Sequence, residues 1–317
     1  LAYQAASIEM TYDLLSPNNQ NNQSFSKFIF GTVHYPVVDA LSYKVPVNDY
    51  TVILLYSGLI DFVYQAAKSI TEAMSPRYQD GSQSRVIVHF DLDSIKSILC
   101  ADSQPVERLY RTLEAYLFNG YPRAFAFENI PQEHFPTLGI IVSMAERWII
   151  GHEYGHGFID DSIEIPKEYS YSSEYFSDNS ATIATVYSGA KLDGVSPEFS
   201  LGGAIFAALC IDIIHEALTL FKNEEESHYD NDFSARNRAS NVISCFEQYF
   251  MYNHNFYGDF DLSFEIKDKV SLDQHLSEEE IDHCYAYANI LFAIWQPVKL
   301  RLLEDRKNKR PLYSKWN

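Results

Sequence analysis

The chain is predicted to take an α+β fold. A mixed lobe with a small sheet covers residues 1–130, and a mainly helical lobe covers residues 131–317. Three observations predict it. Runs rich in β-branched and aromatic residues occur in the first hundred positions. From about Pro136 onward, apolar residues recur at helical spacing in one segment after another. Finally, 46% of residues are apolar and 15% aromatic, enough for a sizeable core in two modest domains or one large two-lobed domain.

The elements follow in chain order. "SPNNQNNQSFS" (Ser16–Ser26) is polar and of low complexity, and it predicts a flexible loop. "KFIFGTVHY" (Lys27–Tyr35) and "SRVIVHFDL" (Ser84–Leu92) predict strands. Between them, Asp49–Met74 carries helical spacing and Pro76 stops it. "PVERLYRTLEAYLFNG" predicts a helix from Pro105, a residue suited to a first turn, to Gly120. In the second lobe the spacing predicts helices over 136–159, 172–189, 200–222, 236–253 and 277–305.

The net charge is −19, from 24 Lys and Arg against 43 Asp and Glu. Such a field repels a phosphate backbone, so no nucleic-acid partner is expected, and it attracts cations instead. The four cysteines lie far apart without a C-x-x-C pair, which points to a reduced, cytoplasmic location. The chain opens on Leu1 rather than Met, without a basic, apolar and small-residue signal pattern. Its greasiest stretch, Leu201–Ile214, is short for a membrane span and carries Asp212. It predicts a buried helix, and no membrane partner is expected.

One segment carries chemistry. "AERWIIGHEYGHGFIDD" (Ala145–Asp161) places His152 and His156 four residues apart with Glu153 beside the first. On a helix, such a pair lies about 6 Å apart along the axis on one face, where two imidazoles can share a metal ion. Glu153 is turned about 100° from His152, at the edge of that site, within reach of a metal-bound water. Gly151, Gly155 and Gly157 flank the pair although glycine weakens a helix. They suit close approach of a substrate or a neighbouring helix.

A catalytic zinc ion needs a third protein ligand and an open position. Glu174 and Asp178 in "SSEYFSDNSATIATVY" again stand four apart on a predicted helix. Glu174 is the candidate ligand, and Asp178 can accept the ring N–H of a ligating histidine. Asp160, Asp161, Glu164 and Glu168 compete for the third position.

H-E-x-x-H followed by E-x-x-x-D on the next helix resembles the gluzincin zinc metallopeptidases. The resemblance implies a zincin-like helical lobe holding one Zn2+ ion by His152, His156 and Glu174. It implies Glu153 as the base and Asp178 orienting His152. "SHYDNDFSARNRASNV" (Ser227–Val242) resembles the His-Pro…Arg segment of smaller gluzincins, among them the prenyl-protease-like group and the soluble Lit-type phage-exclusion peptidases. It implies His228 as a catalytic oxyanion donor, with Arg236 or Arg238 behind it. Tyr229 stands where that family has Pro, and Ser177 where it has Ala.

The expected activity is therefore zinc-dependent endopeptidase cleavage of a protein or peptide substrate. The alternative is a catalytically silent protein-binding module on the same fold. The basic run Arg306–Arg310 is expected to be a helix end favoured by the dipole.

Overall fold

The computed structural model describes residues 1–15, 27–45, 50–74, 76–79, 83–86, 92–123, 130–162, 170–221, 235–246 and 278–314. The fold is α+β, with a small three-stranded sheet near the N-terminus followed by helices. The predicted loop over 16–26 lies outside the described residues.

Helix α1 (Ala2–Leu15) comes first, a segment the sequence reading passed over. It buries Ser7 and Thr11 beside Ile8, and each hydroxyl donates to the carbonyl four residues back, Ser7 to Tyr3 and Thr11 to Ser7. Polar residues satisfied by their own helix break the apolar stripe that reveals most helices.

Strands β1 (Lys27–Val33), β2 (Ala40–Val45) and β3 (Tyr50–Tyr56) form the sheet in the order β1-β3-β2. β1 runs parallel to β3, pairing Lys27 with Tyr50 through Val33 with Tyr56. β2 runs antiparallel to β3, pairing Ala40 with Leu55 through Val45 with Tyr50. One face points inward through Thr51, Ile53 and Leu55, and the other exposes Ile29, Leu41 and Tyr43.

The predicted helix over Asp49–Met74 is corrected here. Residues 50–56 are the central strand, and helix α2 starts at Ser57 and ends at Ala73. A short apolar run reads alike as a buried helix or a buried strand, and partners on both sides decide for the strand. The strand predicted over Ser84–Leu92 also changes. β4 (Pro76–Gln79) and β5 (Gln83–Val86) pair as a hairpin, residues 87–91 lie outside the described set, and Leu92 opens α3 (Leu92–Ala101).

Helix α4 (Gln104–Asn119) closes on Gly120, whose φ of 77° is the left-handed cap conformation. Then come α5 (Phe135–Ser162), α6 (Ser170–Ser188), a π-turn over Gly189–Asp193, α7 (Pro197–Thr219), α8 (Ala235–Phe246) and α9 (Glu278–Lys307). Residues 247–253 of the helix predicted over 236–253 lie outside the described residues.

Helix α5 is the axis of the molecule. It packs against α1, α2, α6, α7, β2 and β3. One core runs through Phe62, Leu113, Trp148, Phe206 and Leu291, so residues on both sides of position 130 share it. α7 is long and apolar enough to cross a membrane, but most of it is buried between α5, α8 and α9. Cys210, Cys245 and Cys284 are buried as free thiols and Cys100 is exposed. Arg310, in the basic run, reaches back to Glu114 at 2.5 Å and lies 4.0 Å over the Phe118 ring. That run ties the chain end to α4 as well as closing α9.

Candidate metal centre

Close helix packing builds the site. A Cβ on Gly151 would lie 3.1 Å from the Cα of Ala181, and one on Gly155 would lie 2.8 Å from the Cα of Ser177. Glycine at these two turns lets α6 lie against α5, which brings the face bearing His152 and His156 up to Glu174. The close approach expected of these glycines is to a neighbouring helix.

Trp148 fixes the first imidazole. Its indole is fully buried, donates to Thr182 Oγ1 at 3.1 Å, and stacks on the His152 ring with centroids 5.6 Å apart. On the other side, His152 Nδ1 lies 2.8 Å from Oδ1 of the fully buried Asp178, a short contact bent away from a linear hydrogen bond. Nε2 of His152 is thereby turned toward His156, whose Nε2 lies 3.0 Å away, with the two rings nearly perpendicular.

Glu174 meets both rings. Its Oε2 lies 3.3 Å from His152 Nε2, and its Oε1 lies 3.3 Å from His156 Nε2. These three side chains are the only group of potential ligands among the described residues whose donor atoms all converge. Tetrahedral zinc with nitrogen and oxygen ligands at about 2.1 Å places neighbouring ligand atoms roughly 3.4 Å apart. Separations of 3.0 to 3.3 Å therefore fit such an ion.

The electrostatics follow. Burial works against a charged His152, but Asp178 and Glu174 outweigh it and lift its pKa to about 9. Burial works against a charged Glu174 too. The two imidazoles and Arg238 outweigh that and hold its carboxyl far below the usual carboxylate range. Glu153, the residue after His152 on α5, is itself buried.

The other predicted residues divide. Arg238, read as an oxyanion candidate, has its Nη2 donating to Oε2 of Glu174, so the guanidinium is engaged with the carboxylate. Arg236 lies in the first turn of α8, and its side chain lies outside the described set. His228, Glu164 and Glu168 lie outside the described residues, as do the side chains of Asp160 and Asp161 at the end of α5.

Two acids went unassigned from sequence. Asp212 of α7 is buried with both carboxylate oxygens unpartnered, and burial pushes it up to about 8 against the pull of Arg238. A lone acid in the apolar run "LGGAIFAALCIDII" was the available signal. Asp39, just before β2, reaches solvent, yet the protein crowded around it raises its carboxyl. The Ala40 N–H opposes that rise, while the charges of Glu153 and Glu174 add to it. Nothing in "PVVDALS" marked Asp39.

No protein-family model matches the chain, and no match is found among curated proteins or solved structures.

Proposed function

We propose that the chain is a zinc-dependent endopeptidase of gluzincin type acting on a protein substrate. One observation carries the reading. Nε2 of His152, Nε2 of His156 and the Glu174 carboxylate converge at 3.0 to 3.3 Å, and the buried Glu153 is the next residue on α5 after His152.

His152, His156 and Glu174 would hold the ion, with Asp178 bracing His152 from behind. When bound, zinc supplies Lewis acidity and makes a water at its open position acidic near neutral pH. Glu153 would take a proton from the attacking water and return it to the leaving amine. Glu153 is one position round the helix from His152 and is buried, which supports that role. The four free cysteines favour a reducing compartment for this activity.

Metal analysis and protein-cleavage assays on wild type, Glu153→Gln and His156→Ala test the reading. Wild type and Glu153→Gln should each carry roughly one zinc ion per chain, and His156→Ala should lose it. Cleavage should fall at least about 100-fold in both variants. Cleavage that survives Glu153→Gln removes that residue from the chemistry. Full zinc content without cleavage of any protein favours the binding module.

A further inference from the structure

We propose that Arg238 is a positioning residue that sets the Glu174 carboxylate toward the two imidazoles. The inference rests on the metal-site reading above. A glutamate side chain on a helix surface rotates freely about three torsions, whereas here the carboxylate is held with one oxygen toward each ring. Oε2 receives Arg238 Nη2 and lies 3.3 Å from His152 Nε2, which leaves Oε1 at 3.3 Å from His156 Nε2.

The guanidinium is itself held in place. α8 buries Ala239, Val242 and Cys245, and Cys245 Sγ donates to the Asn179 carbonyl at 3.7 Å. Asn179 is on α6, little more than one turn after Glu174. The path from Glu174 along α6 to Asn179, across to Cys245, back along α8 to Arg238 and across to Glu174 therefore closes on itself. A closed path of helices and contacts fixes both partners far better than a surface pair, where side-chain entropy opposes the contact. The Arg238 side chain is 15% exposed and that of Glu174 is 32% exposed, so the pair is largely shielded from solvent.

The sign of one substitution separates positioning from mere charge. A cation beside a divalent ion repels it, so if Arg238 acted only through its charge, removing it would tighten metal binding. If Arg238 positions Glu174, removing it frees the carboxylate and weakens binding. An oxyanion donor would leave metal affinity alone and act on kcat.

The experiment is zinc affinity by chelator competition for wild type, Arg238→Gln and Arg238→Lys, with circular dichroism reporting folding. Arg238→Gln should lose about 10- to 100-fold in affinity, as is usual when a group holding a metal ligand is removed. Arg238→Lys, which keeps a donor, should recover part of the loss. Arg238→Met keeps the apolar stem and replaces Arg238→Gln if that variant does not fold. Unchanged or tighter zinc binding in the charge-free variants overturns the proposal. So does a loss confined to kcat. A wild type that takes up no zinc removes the metal-site reading and this proposal together.

Discussion

Gly155 of α5 faces Ser177 of α6 so closely that a Cβ on the glycine would lie 2.8 Å from the serine Cα. That separation is below ordinary van der Waals contact, and backbone cannot yield as a flexible side chain would. The candidate metal centre depends on it, because His152 and His156 stand on one helix and Glu174 on the other.

Gly155→Ala should therefore destabilise the protein by about 1–3 kcal/mol, the usual cost of overpacking, despite alanine's better helix propensity. It should also lower zinc affinity. Gly139 is the control, because it lies in the same helix with nothing within 4 Å of its would-be Cβ. Gly139→Ala should stabilise by about 0.5–1 kcal/mol and leave zinc binding alone. Urea denaturation and zinc titration of the two variants check this, and equal effects would refute the packing argument.

The carboxylate of Asp178 lies 2.8 Å from Nδ1 of His152. Asp178→Asn removes the charge and keeps the shape. Zinc affinity should fall about 10- to 100-fold, and the His152 imidazole of the metal-free protein should titrate lower than in wild type. Proton NMR of the ring checks the second point. An unmoved imidazole would mean that Asp178 does not govern it.

Metal-free protein should lose stability as pH rises. His152 is raised from 6.5 to about 9, so its contribution is complete below about pH 6.5 and gone above about pH 9. Asp212 is raised from 3.8 to about 8, so it too binds a proton more tightly folded than unfolded, and stability falls between those values. Both act in one direction. Urea midpoints from pH 5 to 9.5 should decline in the wild type, and less steeply in Asp212→Asn. Zinc must displace the His152 proton, so its affinity should rise over pH 6.5 to 9.

Arg147 is fully buried. It donates to Gln4 Oε1 at 2.7 Å, to Ser188 Oγ at 3.3 Å and to Asp193, joining α1, α6 and the π-turn. Asp193→Ala strands that cation and should destabilise by about 3 kcal/mol. Any zinc content should persist, because none of the hydrogen bonds that hold Arg147 involves His152, His156 or Glu174. Loss of zinc at full stability would show a coupling the packing does not provide.

Much of the site was legible because its spacing is local. The i, i+4 placement of His152 with His156, and of Glu174 with Asp178, follows from the helix repeat alone. Helix α4 emerged from its Pro105 start and Gly120 stop, and α5 to α7 and α9 from apolar periodicity to within a few residues. The start of α8 emerged likewise, while 247–253 lie outside the described residues. Segments that failed were those whose local pattern is ambiguous or masked. Residues 50–56 take their state from β1 and β2 on either side. Helix α1 hides its buried face behind Ser7 and Thr11, which hydrogen-bond to its own backbone. Asp39 and Asp212 acquire meaning from residues far along the chain.

The sequence by itself determined which side chains share a helix face, because covalent geometry and the 3.6-residue repeat leave no other arrangement. Only the tertiary structure decided that the two faces meet, that Glu174 comes within 3.3 Å of both imidazoles, and that Arg238 spends its guanidinium on that carboxylate. Those are distances between separate helices. They depend on how closely α6 and α8 can pack on their neighbours, which glycine at 151 and 155 permits and burial of Trp148, Val242 and Cys245 drives.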